Sequence, residues 1–219
     1  EGGHAMSEGV QAAQTAINES NIPSELTAKV AGDYEDQQDM FVDLITLMVL
    51  IVILVYMVMA SQFESFMSPF VIMFSVPFAL VGVIFGLWLT NTALGVMAMI
   101  GLLILIGIVV KNGIVLIDYL ILCRERGMNI LDAAVTAARS RLRPILMTTL
   151  TTVLGMIPMA IGTGEGSEMW RSLGVTVAWG LSVSTVVTLV LIPTIYCVFA
   201  TRQEKHKQKK LAKQAAING

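Results

Sequence analysis

Five stretches of this chain, each about twenty residues or longer, are almost free of charge, and no other feature constrains its fold as strongly. They run over about 43–62, 67–90, 94–121, 144–163 and 172–199. A bilayer's hydrocarbon core is ~30 Å thick, and ~20 apolar residues of helix cross it, because a helix satisfies its own backbone hydrogen bonds. Charged residues make up 14% of the 219 residues and hydrophobic ones 55%, against about 25% charged in an ordinary soluble domain. The mean hydropathy is +0.75. A soluble enzyme and a disordered chain are both excluded. Two cysteines, Cys123 and Cys197, are too few for a disulfide scaffold. There is no Cys-x-x-Cys, His-Glu-x-x-His, P-loop or Gly-x-Ser-x-Gly pattern, and His4 and His206 lie at opposite ends. No catalytic chemistry, bound cofactor, metal site or nucleic-acid partner is expected; lipid is the expected surroundings.

The ends differ in charge. Residues 1–43 hold nine acids and one base, Lys29, whereas the last 18 residues, from Arg202, hold six bases and one acid, Glu204. Residues 5–19 read as an amphipathic helix with Met6, Val10, Ala13 and Ile17 on one stripe, and residues 27–31 as a short strand. Residues 1–40 are too few to bury a core of their own. They read as the end of a water-exposed α/β domain, so further chain is expected upstream of Glu1, whether the chain is a fragment or has been processed. Residues 201–219 read as a solvated basic tail.

Lys and Arg placement gives an orientation. Arg124, Arg126, Arg139, Arg141 and Arg143 lie between the third and fourth spans, and the loops on the other side offer only Arg171. The N-terminus is expected outside and the C-terminus in the cytoplasm. A cytoplasmic surface helix is expected within 123–143, before Pro144 opens the fourth span.

Within the spans, Lys111 is the outstanding residue. A charge at a bilayer's centre costs ~2.5–3.5 kcal/mol on insertion scales, so an ionisable group there is read as functional first. A lysine merely paired inside the bundle is the competing reading. Asp118 shares its helix face but stands ~10.5 Å along the axis, too far to pair directly. Asn112 adjoins Lys111 and has the chemistry to bond across helices. No other carboxylate falls at midplane depth, so either the partner of Lys111 lies outside these spans or the lysine is neutral. Thr148, Thr149, Thr151 and Thr152 crowd the fourth span, where a hydroxyl serves either as a relay or as a donor to its own backbone. Arg141 and Arg143 precede it, as interfacial anchors or as groups at a water entry. Gly82 and Gly86, and Thr176, Gly180, Ser184 and Thr188, recur every fourth residue and mark close helix packing. Pro77, Pro158 and Pro193 interrupt three spans.

The runs MASQFESFMSPFVIMFSVPFALVG (59–82), GIVVKNGIVLIDY (107–119), RLRPILMTTLTTVLGMIPMAIGTGEGSE (141–168) and STVVTLVLIPTIY (184–196) resemble the resistance–nodulation–division (RND) efflux transporters, closest to the multidrug, hydrophobe/amphiphile branch. The likeness covers about residues 20–200. It implies an all-α polytopic membrane bundle, the last five transmembrane helices of a subunit, preceded by the end of a periplasmic α/β porter domain. It also implies a proton/substrate antiporter of the bacterial inner membrane, driven by the proton motive force, usually a homotrimer. A periplasmic adaptor, an outer-membrane channel and hydrophobic or amphiphilic cargo belong to the same picture. The family's relay joins aspartates in one half to a lysine, a threonine and an arginine in the other. By motif, Lys111 matches the lysine, Thr148 the threonine and Arg141 the arginine; Asn112 and Asp118 are possible accessories. The aspartates would lie in an N-terminal half of the same subunit. Two rivals are a split or truncated subunit with an assembly role, and an RND relative that exports lipid or assists translocation. Heavy-metal export is less favoured.

Overall fold

The computed structural model describes residues 15–17, 33–162, 164 and 166–218. The chain divides into two units, Glu1–Val49 and Leu50–Gly219. Residues 15–17 are helical, while the rest of the helix expected at 5–19 and the strand expected at 27–31 lie outside the described residues. Six helices follow: α1 (Asp33–Gln62), α2 (Met67–Met73), α3 (Ser75–Leu89), α4 (Val96–Glu125), α5 (Ile130–Ile161) and α6 (Ser167–Asn218). They contain five stretches long and apolar enough to cross a membrane, α2 and α3 together forming one of them. The architecture is an all-α polytopic bundle, with no strand among the described residues.

The second apolar span breaks at Phe74, and Pro77 explains the position. Proline has no N–H, so the carbonyl four residues before it loses its helical donor. That carbonyl belongs to Met73, the last residue of α2. The buried Ser75 hydroxyl donates to the carbonyl of Ile72 at 2.6 Å and ties the two segments together. Pro144 acts differently. The surface helix and the fourth span expected on either side of it form one helix, α5. A single proline removes one bond, and in an apolar medium the remaining backbone groups have no better partner than the helix itself. The basic tail likewise continues α6 as helix to Asn218.

Two turns are set by residues in the left-handed region. After α4, Gly127 has φ +86°. The N–H of Met128 donates to the carbonyl of Cys123, and that of Gly127 to Arg124. After α3, Asn91 has φ +48°, with Thr92 donating to Leu87 and Asn91 to Trp88. Both are Schellman closures, which satisfy the last carbonyls of a helix.

The core of the second unit lies around α4 and α6, each packed against α2, α3 and α5 as well as against the other. Glycines permit the close approaches. A Cβ added at Gly86 would meet the base of the Trp179 side chain, and one at Gly82 would come within 2.7 Å of the Val183 Cβ. Gly180 lies against Leu105 and Val83, and Gly101 against Thr176. The small-residue stripes read from the sequence are thus the α3–α6 and α4–α6 contacts. By contrast, the apolar window of α1 has no buried position.

Candidate functional site

Helix α4 is buried on most of its circumference. Its exposed residues are Ile104, Gly107, Lys111, Asp118, Leu122 and, at its last position, Glu125, with Val115 half-buried between Lys111 and Asp118. Steps of three and four residues put these on one stripe. Lys111 therefore stands at the middle of a 30-residue helix, on the one face that α4 does not pack. It forms no ion pair among the described residues. Asn112, one residue on, points the other way and is only 9% exposed. Its amide makes no hydrogen bond to another described residue, so it does not form the bond across helices that the sequence suggested. Beside it Gly113 is packed by Ile72 and Ile192.

Asp118 is exposed near the end of α4 that leads into the turn to α5. It makes no ion pair with Arg141. The guanidinium carbon of Arg141 lies 4.6 Å from the ring centroid of Tyr119 instead. The Nε of Arg141 is buried with no hydrogen-bond partner among the described residues. Tyr119 was not singled out by sequence. Eight residues put it about 80° round the helix from Lys111, to one side of the open stripe.

That contact joins two successive helices, α4 and α5. Lys111 lies ~12 Å from Tyr119 along α4, and Thr148 ~10.5 Å from Arg141 along α5. Lys111 and Thr148 thus lie at comparable distances along their helices from that contact, and no hydrogen bond joins them among the described residues. Thr148 is exposed. Its hydroxyl donates within its own helix, with Ile145 O at 2.9 Å and Pro144 O at 3.2 Å. Thr151 and Thr152 do the same, to Met147 O and Thr148 O. Only Thr149 turns inward, pairing with Thr185 of α6 at 3.0 Å. The structure therefore brings Arg141 to α4 and leaves Lys111 and Thr148 on exposed faces, with Asp118 and Asn112 paired to neither.

Chemically, the arrangement offers a central ammonium without a counter-ion among the described residues, an exposed hydroxyl on the next helix, and a guanidinium near one end. An ammonium and a guanidinium are suited to attracting carboxylates and to changing partner when those carboxylates are protonated. Among the described residues, no group of three or more His, Cys, Asp or Glu is placed to hold a metal ion.

Comparison with known proteins identifies the family. A family model, described as the AcrB/AcrD/AcrF family, matches residues 2–200. Two solved structures are similar, both X-ray crystal structures of a heavy metal efflux pump, in crystal forms II and I. Each is 30% identical over 91% of this chain, with TM-scores of 0.78 and 0.76. The chain spans one fifth of their length (20% of each). A membrane bundle of this kind, matched by one family model along nearly its whole length, belongs to the AcrB/AcrD/AcrF family of RND efflux transporters.

Proposed function

We propose that this chain forms membrane-embedded machinery of a proton-driven efflux pump that exports hydrophobic or amphiphilic compounds. The observation that carries the reading is Lys111, unpaired at the centre of α4 on the one face that helix leaves open. A carboxylate supplied by another part of the pump pairs with Lys111. When a proton from the outer side binds that carboxylate, the ion pair is lost, Lys111 relaxes toward other acceptors, and the helices shift. Loss of the proton to the inner side restores the pair. Each charge that crosses carries ~2.3 kcal/mol per 100 mV of membrane potential. Thr148 holds water on the next helix, and Arg141 guards the entry at the α4–α5 end. The arginines around that end favour a cytoplasmic placement, with the start of α1 on the periplasmic side of a bacterial inner membrane. A trimeric assembly with an adaptor and an outer-membrane channel follows from the family.

Metal-ion cargo is a second reading, favoured by the two similar structures, which are of a heavy metal efflux pump. Both cargoes need the same relay. The test is Lys111→Met in the complete pump, with export followed in energised cells for a lipophilic dye and for monovalent and divalent transition-metal ions. The reading expects export to fall to background at an unchanged protein level. Undiminished, proton-dependent export by the variant would sink it. Export of metal ions but not dye by the unaltered pump would replace the proposed cargo with the second.

A further inference from the structure

Arg141 is a cation whose usual company is missing. Buried guanidinium groups ordinarily bond carboxylates or carbonyls through several N–H groups. Here Nε is buried without an acceptor, and Asp118, next to Tyr119 in sequence, does not pair with it. What the guanidinium has is the face of a neutral ring at 4.6 Å. A ring holds a cation in place through its quadrupole and leaves the charge uncompensated. A carboxylate would hold it too, but would cancel its charge. The Tyr119 hydroxyl makes no hydrogen bond to another described residue, so the ring face is the part in use. The contact also ties α4, which carries Lys111, to α5, which carries Thr148.

We propose that Tyr119 is a positioning residue of the relay. Its ring fixes Arg141 against α4 as an uncompensated positive charge, and so sets the register between the helices that carry Lys111 and Thr148. The inference rests on the relay reading above. It goes beyond that reading by assigning a part to a residue that takes and gives no proton. Two features follow: the hydroxyl is dispensable, and the electron density of the ring is not.

The test replaces Tyr119 in the complete pump by Phe, by Leu, and by 3,4,5-trifluorophenylalanine, which keeps the shape of Phe but removes the negative ring face. Export kinetics and proton uptake are measured in proteoliposomes. Tyr119→Phe should keep the export rate within about twofold of the parent, while the trifluoro ring and Tyr119→Leu should lower kcat by about two- to thirtyfold, the range that corresponds to cation–π contacts. The cargo KM should not move, because no cargo contact is altered. Because Phe and its fluorinated form have nearly the same shape, a folding defect would strike both alike. Equal rates for those two would overturn the proposal, as would a Phe variant as slow as Leu. If Lys111→Met leaves transport intact, the relay reading has failed. If Lys111→Met abolishes transport and the ring series is flat, only the role of Tyr119 has.

Discussion

Thr149 of α5 and Thr185 of α6 share a buried hydroxyl–hydroxyl hydrogen bond of 3.0 Å. The same helices also meet where the Cys197 thiol donates to the carbonyl of Ile130 at 3.9 Å, and the threonine bond sits one residue away from the threonine that the motif marks as a relay candidate. One face of α5 is thus pinned to α6 while Thr148 looks elsewhere. The threonine pair serves the packing of the bundle, and in the proposed relay the exposed Thr148 is the one left for chemistry.

Removing half of that pair should be worse than removing all of it. Thr149→Val alone leaves the Thr185 hydroxyl buried without its partner, a loss of ~1 kcal/mol given the modest worth of such bonds between membrane helices. Thr149→Val combined with Thr185→Val should cost less than the two single changes added together. Unfolding of the purified protein in mixed micelles gives the cycle, and strictly additive losses would contradict a direct bond.

The glycine contacts make a ranking. A methyl at Gly86 strikes the root of the Trp179 side chain, which has little freedom. A methyl at Gly180 first meets the tip of Leu105, which rotates away more easily, although Val83 Cγ2 also stands within 2.7 Å. Overpacking usually costs ~1–3 kcal/mol, so Gly86→Ala should sit near the top of that range and Gly180→Ala near the bottom. The thermal midpoints of the two variants decide it, and a reversed order would mean that α3 is free to slide on α6.

Pro77→Ala returns an N–H to the helix and gives the Met73 carbonyl its missing donor. The break at Phe74 should then heal into one helix over 67–89. Spin labels at the highly exposed Phe66 and Trp88 should move apart toward the ~33 Å of an unbroken helix. An unchanged distance would show that the Ser75–Ile72 hydrogen bond holds the break by itself.

Arg171 donates from Nη2 to the carbonyl of Thr90 at 3.2 Å, across the end of the bundle away from Arg141. A cation at a helix C-terminus is favourable there, but the site is exposed. Arg171→Gln should cost under ~1 kcal/mol. A loss above twice that amount in the same unfolding assay would reveal a deeper role for the α3–α6 end.

What was legible in the sequence is what local chemistry dictates. Long uncharged runs give helices because lipid offers the backbone no other donor or acceptor. Glycines at fourfold spacing gave the α3–α6 seam, and Pro77 gave a break. Lys111 stood out because its partner was absent from the spans. The Arg141–Tyr119 contact was not legible, because it joins two helices whose register depends on how the Gly127 turn closes. Nor was the choice between Thr148 and Thr149, where a rotation of about 100° per residue decides which hydroxyl is buried. Pro144 misled for a simpler reason. Proline opens helices readily, but it also survives inside them when the neighbouring turns have nowhere else to bond.

The narrow open stripe of α4 has a consequence for assembly. A membrane helix that shows an unpaired ammonium to lipid carries an insertion penalty of ~2.5–3.5 kcal/mol, and the other sides of α4 are already occupied. A helix that arrives with an anion on the matching face would relieve the penalty. The charge that would make the proposed relay responsive to protons would therefore also act as an address label. It favours the correct neighbour over any purely apolar helix, and it marks a subunit that has not yet found that neighbour.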